Sequence, residues 1–409
     1  MSNLLRRLPL SRLLVLCATI VAIGALAAAL ANALGTGPTP PPKPLAQAVH
    51  DALQQGHTNP VAGVSARIEL TDHLIEGASV ASQAGSSAAN PLLTGASGRL
   101  WISSDGRVRV ELQSERGDTE VYYDGHTVSL YDGSSNSLYR YTLPTGEQDT
   151  SQEGTDHAIP TIAEIQETIE RIMRHANLSG AIPTDVAGQA AYAVRISPSH
   201  DGGLIGGAEL AWDAAHGVPL KLAVYSTQSS TPVLALTATE VSYETVPDSV
   251  FAFSPPAGAR VTEVQPGGHD SHTQGPKPTV THEQGLAAVQ AAVPFTLDAP
   301  ATLAGMARDE VRGAQVNGHA AALVTYGQGL GSVAVLESEA KSEGAGSEEE
   351  ALPSFLGDLP KVALPGTSTG ATELPTPLGT LMRFQKGDVE YLLAGSVTAA
   401  RLQEAAKGL

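Results

Sequence analysis

The sequence predicts an α+β fold in which antiparallel strands form most of the chain and a few helices cover them. Two observations lead to this prediction: short runs of alternating apolar and polar residues recur, and Asp-Gly pairs separate several of these runs. Alternation with a period of two places the apolar side chains on one face of a strand. Asp-Gly supplies the positive φ that a tight hairpin turn needs. Several strands and a long helix before residue 264 therefore predict an open barrel or a curved antiparallel sheet.

Length, composition and charge allow two domains and argue against some functions. The chain has 409 residues, of which 42% are hydrophobic, so most of it is expected to be globular. Its net charge of −18 offers no basic face for nucleic acid, whose binding depends on neutralising phosphates. The single cysteine, Cys17, leaves the rest of the chain without disulfides or cysteine metal sites.

The first 44 residues predict export. Residues 1–12 form a basic flank that we expect to remain cytoplasmic, and residues 13–34 form an apolar run long enough to span a bilayer. We favour an uncleaved transmembrane anchor, which makes the chain a single-pass protein of the cell membrane with an extracytoplasmic bulk. The alternative is a signal segment cleaved after Ala31-Asn32-Ala33, which gives a secreted protein. Residues 35–44 are rich in proline and predict an extended spacer.

Residues 45–264 predict the first folded domain. Its elements run in the order helix, strand, hairpin meander, helix and four strands, with the bounds 45–55, 61–70, 98–143, 160–176, 185–196, 204–212, 219–225 and 233–243. A short apolar segment from 250 to 256 closes the domain, and residues 77–90 are read as a loop. The second helix is the clearest, because Thr161 and Glu164 fit a capping box.

Residues 265–282 are rich in Gly, Pro, His and Thr and predict a linker to a smaller α+β domain at 283–409. The expected elements of this second domain are a helix at 284–293, strands at 320–326, 333–337, 381–384 and 389–394, and a helix at 398–406. Thr398 is the expected N-cap of the last helix. An acidic loop is expected around 348–350.

No motif points to catalysis, so we expect neither an enzyme nor a bound cofactor. The chain lacks Gly-x-Ser-x-Gly and a glycine-rich phosphate loop that opens a helix. His269, Asp270 and His272 lie close together in the predicted linker. Since no helix or strand would fix them, we do not expect a metal site there.

Four segments, in this order along the chain, resemble the LolA/RseB family of extracytoplasmic lipoprotein-binding proteins. The first contains Gly-Arg-Leu-Trp-Ile at 98–102, Arg-x-Arg-x-Glu at 107–111 and Tyr-Asp-Gly-His-Thr-Val-Ser-Leu-Tyr-Asp at 123–132; the others span 186–196, 211–222 and 246–259. Together they cover most of 45–264. The resemblance implies a curved half-barrel sheet around an apolar cavity that helices close and that takes acyl chains. Trp101 and Tyr131 resemble aromatic residues of the family.

The candidate ligand-binding residues are apolar positions of the meander and of the second helix. They are Trp101, Val108, Val110, Leu112, Val128, Leu130, Tyr131, Ile162, Ile165 and Ile169. We expect the strands to line a cavity and the helix to close it as a lid, although the same residues could instead form a filled core.

The expected function is a membrane-tethered extracytoplasmic module that binds the acyl chains of a lipid or lipoprotein. The alternative is a two-domain envelope sensor or regulator that binds a membrane protein partner. Both functions suit a chain that is anchored by its N-terminal segment and carries two domains outside the membrane.

Overall fold

The computed structural model describes residues 37–74, 95–114, 117–143, 159–264, 279–316, 319–340, 361–367 and 370–409. The predictions for the segment 13–34, the loop 77–90, the histidines near 270 and the acidic residues 348–350 fall outside these ranges. Within them, no helix is both long enough and apolar enough to cross a bilayer. At the start of the first range, Pro40 is buried and the Tyr192 hydroxyl donates to the Pro41 carbonyl at 2.6 Å, so this part of the proline-rich segment packs on the folded domain.

The first domain is built on a large curved sheet. Its strands are β1 Gly63–Asp72, β2 Ala96–Ser103, β3 Val108–Ser114, β4 Gly117–Tyr123, β5 Thr127–Asp132, β6 Ser137–Thr142, β7 Ala176–Leu178, β8 Ile182–Val186, β9 Gln189–Pro198, β10 Ile205–Asp213, β11 Pro219–Ser226, β12 Pro232–Ser242 and β13 Arg260–Val264. They follow the order β13-β6-β5-β4-β3-β2-β1-β12-β11-β10-β9-β7, and β8 pairs with β9. The sheet is open, because this path ends at two different strands. The predicted curved antiparallel sheet is confirmed.

The meander forms because its turns have the required backbone conformations. Gly106 and Gly125 have φ values of +84° and +99°, as the first two Asp-Gly pairs predict. The third turn differs from the prediction: residues 133–136 form it, and the positive φ falls on Asn136 at +47°. The Asp132 carboxylate accepts hydrogen bonds from Ser134 and Ser135, which stabilise this longer loop.

Two helices pack on this sheet, α1 Leu45–Thr58 and α2 Ile162–Ile172. The predicted capping box is confirmed, because Thr161 Oγ1 accepts from the Glu164 amide at 3.3 Å and the Glu164 carboxylate accepts from the Thr161 amide at 2.7 Å. Helix α2 ends before the predicted residue 176, since Ala176–Leu178 pairs with β9 as a strand.

One strand of the first domain was predicted incorrectly. Residues 185–196 were expected to form one strand, but β8 and β9 form a hairpin whose turn residues Ala187 and Gly188 both have positive φ. Such a pair defines the turn that joins short hairpins. The apolar segment 250–256 is followed by β13, which was not predicted and which pairs in parallel with β6.

The cross-strand register gives the sheet one apolar and one polar face. Ala66, Leu100, Val110, Val121 and Leu130 are successive partners across β1–β5 and therefore share one face. The next row along the strands points to the other side and is charged: Arg67, Arg99, Glu111 and Glu120. The two faces of β1–β5 therefore differ in their chemistry.

The second domain contains its own sheet, with strands β14 Thr279–Gln284, β15 Thr302–Leu303, β16 Met306–Val316, β17 His319–Tyr326, β18 Val333–Glu339, β19 Lys361–Val362, β20 Ala371–Thr376, β21 Gly379–Lys386 and β22 Val389–Gly395. Helices α3 Leu286–Ala292 and α4 Ala399–Lys407 accompany it. Thr398 caps α4 as predicted, with its side chain accepting from the Arg401 amide at 3.4 Å. The predicted linker is shorter than expected at its C-terminal end, because residues 279–282 belong to β14.

A compact joint connects the two domains. The Ser396 carbonyl accepts from the Leu204 amide at 2.8 Å, and Ser396 Oγ accepts from the amides of Leu204 and Ile205 at 3.0 and 3.2 Å. Gly331 donates to the Asp201 carbonyl at 3.1 Å beside this contact. The loop that leads into β10 is thus held by the end of β22.

Candidate functional site

The structure divides the ten predicted site residues among three places. Val108, Val110, Leu112, Val128 and Leu130 share the apolar face of the sheet, as their register shows. Trp101 and Tyr131 lie on the opposite face, because their partners are Arg109 and Glu120. Ile162, Ile165 and Ile169 lie on α2.

The chain itself covers the face that carries Trp101 and Tyr131. The Phe253 ring lies 6.2 Å from that of Tyr131 and 4.2 Å from that of Tyr122. The Arg109 guanidinium lies 5.6 Å from the Trp101 ring and donates to the Val250 carbonyl at 2.8 Å. Tyr122, Tyr131 and Arg109 therefore hold residues 250–253 against this face of the sheet.

Val110 and Leu112 belong to a packed core. Leu112 is buried in one cluster with Ala66 and Ile68, and Val110 packs against that cluster. For these two residues, the structure matches the alternative of a filled core. Val108, Val128 and Leu130 are half-buried on the same face.

Helix α2 lies away from the meander. Ile165 and Ile169 are buried against Ala46 and Leu45 of α1, together with Leu178 of β7. Ile162 is 46% exposed and does not join this cluster. The expected lid over the meander is therefore placed differently: α2 and α1 cover the other end of the sheet.

An apolar pocket of about 340 Å³ lies between α1, α2, β7 and β9. Only two of its lining residues are polar, and the set is Leu45, Val49, Pro160, Glu164, Ile165, Thr168, Ile169, Ile172, Leu178, Val194 and Ile196. Its volume is that of a small-ligand site, and its lining suits a hydrocarbon ligand. Of the predicted residues, the pocket brings together Ile165 and Ile169.

The pocket adjoins a row of apolar residues through Val194, which lines the pocket and begins the row. Val194, Leu210, Leu222, Leu236 and Leu70 are successive partners across β9, β10, β11, β12 and β1, and we call this set the leucine row. Leu210, Leu222 and Leu236 are 37%, 54% and 40% exposed. With strands about 4.8 Å apart, the row extends for about 19 Å.

A second apolar row runs beside the leucine row on the same face. Ile196, Ala208, Val224 and Leu234 are partners across β9–β12, each two residues along its strand from a member of the leucine row. Ile196 is 38% exposed, and the other three are half-buried. A contiguous apolar surface of this kind on a folded domain is characteristic of a binding site.

The charged groups of these strands lie on the opposite face. Glu209 is buried and bonds to Arg195 and Lys221, both at 2.7 Å. Burial alone would raise the pKa of Glu209, but the hydrogen bonds from Lys221 and Arg195 outweigh it and hold this pKa below its usual value. These ion pairs lie on the face opposite the leucine row, whereas Asp72, the β1 partner of Leu234, is a charged residue on the same face as the row.

The sequence did not predict the leucine row, because large leucine side chains are expected to be buried and the alanines between them exposed, whereas the structure shows the opposite. Leu210, Leu222 and Leu236 alternate with Ala211, Ala223 and Ala235, which are 0%, 1% and 6% exposed. A period of two shows that leucines and alanines face opposite sides, but not which side is covered. The feature of the sequence that could have indicated this surface is the Leu-Ala pair that recurs in three consecutive strands.

Known metal-binding arrangements do not occur in the described ranges. No group of three or more His, Cys, Asp or Glu side chains there is placed to hold an ion. The chemistry that the pocket and the leucine row support is the burial of apolar surface.

Comparison with known proteins gives one family match. A family described as predicted periplasmic protein (DUF2092) matches residues 78–161, which include the whole meander. The comparison with curated proteins gave no match.

Several solved structures are similar to this chain at low identity. The MucA/MucB complex of Pseudomonas aeruginosa contains a chain that is 16% identical, with 88% of this chain and 96% of that chain covered and a TM-score of 0.40. A LolA superfamily protein from Nitrosomonas europaea is 10% identical, with coverages of 52% and 98% and a TM-score of 0.21. A putative outer membrane lipoprotein-sorting protein domain from Vibrio parahaemolyticus is 11% identical, with coverages of 50% and 95% and a TM-score of 0.17. The predicted resemblance to the LolA/RseB family is confirmed at this level of similarity.

Proposed function

We propose that this chain is an extracytoplasmic binding protein that takes the acyl chain of a lipid or lipoprotein into its apolar pocket and along the leucine row. The observation that carries the proposal is the exposure of Leu210, Leu222 and Leu236 on one face, continuous with a pocket lined almost entirely by hydrocarbon. The match to a family described as predicted periplasmic supports the extracytoplasmic location. Tethering by residues 13–34 is part of the same proposal.

Burial of apolar surface supplies enough free energy for this function. Each buried methylene contributes about 0.8 kcal/mol, so about ten methylenes contribute about 8 kcal/mol before the cost of association. Association costs at least about 4 kcal/mol, so about fifteen buried methylenes, which contribute about 12 kcal/mol, are needed to leave a net free energy of about 8 kcal/mol, and this corresponds to a dissociation constant of about 1 μM. One acyl chain is therefore a sufficient ligand.

Each part of the surface has a role in this proposal. Ile165, Ile169 and Ile172 of α2 form one wall of the pocket, and Val194 and Ile196 of β9 form the opposite wall. The leucine row extends the apolar contact beyond the mouth of the pocket. Trp101 and Tyr131 support the sheet from its other face and do not touch the ligand.

The test is native mass spectrometry of the full chain, extracted from its own membrane in a mild detergent. We expect a stoichiometric acyl lipid or lipopeptide on the wild-type chain and its loss in Leu222→Asn. The matched control is Leu330→Asn, because Leu330 is 55% exposed and Leu222 is 54% exposed. Equal ligand content in the three proteins would contradict the proposal.

A regulator that binds a membrane protein is the alternative. Its signature would be a ligand-free chain that captures a membrane protein through both domains, with no response to Leu222→Asn. Capture that depends on Leu222 would instead mean that a partner segment uses the same apolar surface.

A further inference from the structure

Glu337 is a carboxylic acid in the core of the second domain. It lies on β18 between Ala322 of β17 and Tyr391 of β22, and its exposed fraction is 0%. Its Oε2 accepts a hydrogen bond from the Asp298 amide at 3.0 Å. Its Oε1 has no hydrogen-bond partner in the described part of the chain.

The group that Glu337 holds belongs to a segment without helix or strand, residues 293–299, which we call the strap. Gln290 ties the strap to α3 by accepting from the Leu297 amide and donating to the Phe295 carbonyl, both at 2.9 Å. Arg308 of β16 donates to the Ala299 carbonyl. Leu297 is buried in the core of the domain, so the strap closes one side of that core.

The surroundings of Glu337 disfavour a negative charge. From the strap it faces the Asp298 carboxyl, from β17 the buried Tyr326 hydroxyl, which also has no partner in the described residues, and from β22 the Tyr391 hydroxyl. The cations near this cluster act on other groups, Arg308 on Tyr326 and Lys386 on Asp298. No ion pair with Glu337 exists among the described residues, and an unpaired buried charge is costly.

These contacts imply a neutral carboxyl at neutral pH. The pKa of Glu337 is raised to about 8: burial is the main cause, the hydrogen bond from the Asp298 amide opposes the rise, and the nearby Asp298 carboxyl adds to it. The ordinary value for this group is 4.5.

We propose that Glu337 is a proton-controlled latch: the strap stays closed over the neutral carboxyl, and loss of the proton opens the strap, because the one hydrogen bond from the Asp298 amide does not offset the cost of burying the charge. The charged carboxylate needs water or a cation, and it reaches water when residues 293–299 leave the core. Release exposes Leu297 and the neighbouring apolar side chains. This device lies in the second domain and does not depend on ligand binding in the first.

The direction with pH follows from linkage. A carboxyl with a raised pKa in the closed state stabilises that state most below pH 4.5 and loses this contribution as the pH rises through about 8. The strap is therefore closed in acidic and neutral solution and opens in mildly alkaline solution.

The test is hydrogen exchange of the full chain in detergent, read by mass spectrometry over residues 293–299 and corrected for the intrinsic effect of pH on exchange. Between pH 6 and pH 9 we expect opening of the wild-type strap to increase at least about tenfold. Glu337→Gln keeps the shape and removes the titration, so its corrected exchange should not change with pH. Glu339→Gln is the matched control, because Glu339 is an exposed glutamate two residues along the same strand.

A second measurement on the wild-type protein keeps the proposal testable if Glu337→Gln does not fold. Carbon-13 NMR of labelled glutamate side chains should show one carboxyl that titrates several pH units above the others. A strap whose exchange is independent of pH, equal pH dependence in Glu337→Gln, or no carboxyl with a raised midpoint would each overturn the latch.

Discussion

The two domains place their large apolar side chains in opposite ways. In the second domain Tyr326, Val335, Met382 and Leu393 are all 0% exposed and fill one continuous core. In the first domain Leu210, Leu222 and Leu236 of the leucine row are exposed, and alternate positions of the same strands are occupied by buried small side chains such as Ala211. One sheet buries its large apolar side chains, and the other leaves several of them exposed to water.

Each sheet also contains a buried glutamate, and the two glutamates differ in their partners and in the direction of their pKa shifts. Glu209 of the first sheet has two cationic partners, and its pKa is lowered. Glu337 of the second sheet has none among the described residues, and its pKa is raised. The first domain should therefore lose stability in acid and the second in alkali.

The largest expected effect concerns the stability of the two sheets. Leu393→Ala removes a fully buried side chain and should cost about 2–5 kcal/mol of unfolding free energy. Leu222→Ala should cost less than about 0.5 kcal/mol, because half of that side chain is already in water. Denaturant unfolding of both variants measures the difference. Similar losses of unfolding free energy in the two variants would mean that the leucine row is part of a packed core, and the contrast between the two sheets would be wrong.

A smaller effect is expected from Glu209→Gln. Loss of the charge leaves Lys221 without its partner in a partly buried place and should cost about 1–3 kcal/mol at pH 7. Since the pKa of Glu209 is lowered in the folded state, its contribution is present above about pH 4.5 and disappears as the pH falls through the folded value. Unfolding of wild type and variant at pH 7 and pH 3 tests this. A difference that persists unchanged at pH 3 would rule out the ion pairs as its source.

Ligand affinity should respond to the wall of the pocket. Ile172→Asn places an amide at the rim and should weaken binding of an acyl lipid about tenfold, with little change in stability because Ile172 is 40% exposed. Leu53→Asn is a suitable control, since Leu53 is 46% exposed on α1 and does not line the pocket. Titration with a fluorescent fatty acid gives both affinities. Equal affinities of the two variants for the fatty acid would mean that the ligand does not bind in this pocket.

The smallest effect on ligand affinity is expected from Trp101, one of the two aromatic residues that the sequence predicted to be in the site. Trp101→Leu should change acyl-lipid affinity less than about twofold, because Trp101 lies on the face opposite the leucine row and contacts Arg109. The same titration measures this affinity. A large loss of affinity, with the fold intact by circular dichroism, would mean that the ligand binds on the face that carries Trp101.

Local signals in the sequence predicted much of the fold. Thr161 with Glu164 defined the start of α2, Thr398 defined the start of α4, and the Asp-Gly pairs at 105 and 124 located two hairpin turns. Each of these signals depends on neighbours a few residues apart. The physical requirement is therefore contained in the segment itself.

The remaining features depend on contacts that are distant in the chain. Strand β16 was not predicted, because Arg308, Asp309, Glu310 and Arg312 hide its alternation, and its pairing with β14 and β17 defines it. The exposed face of β10–β12 is determined by where α1 and α2 stop covering the sheet. No pattern within these strands contains that information, so the exposure of the leucine row could not be predicted from the sequence.

The joint at Ser396 has a consequence for the independence of the two domains. Gly203 has φ of +62°, and any side chain there would collide with the Ser396 carbonyl, so the two backbones meet without side chains between them. Separating the halves after a cut within 265–278 would remove the two Ser396 oxygens that accept from the Leu204 amide, just before β10. Strand β10 carries Leu210, so dissecting the protein into separate halves would disturb the very strand on which an isolated first domain would rely.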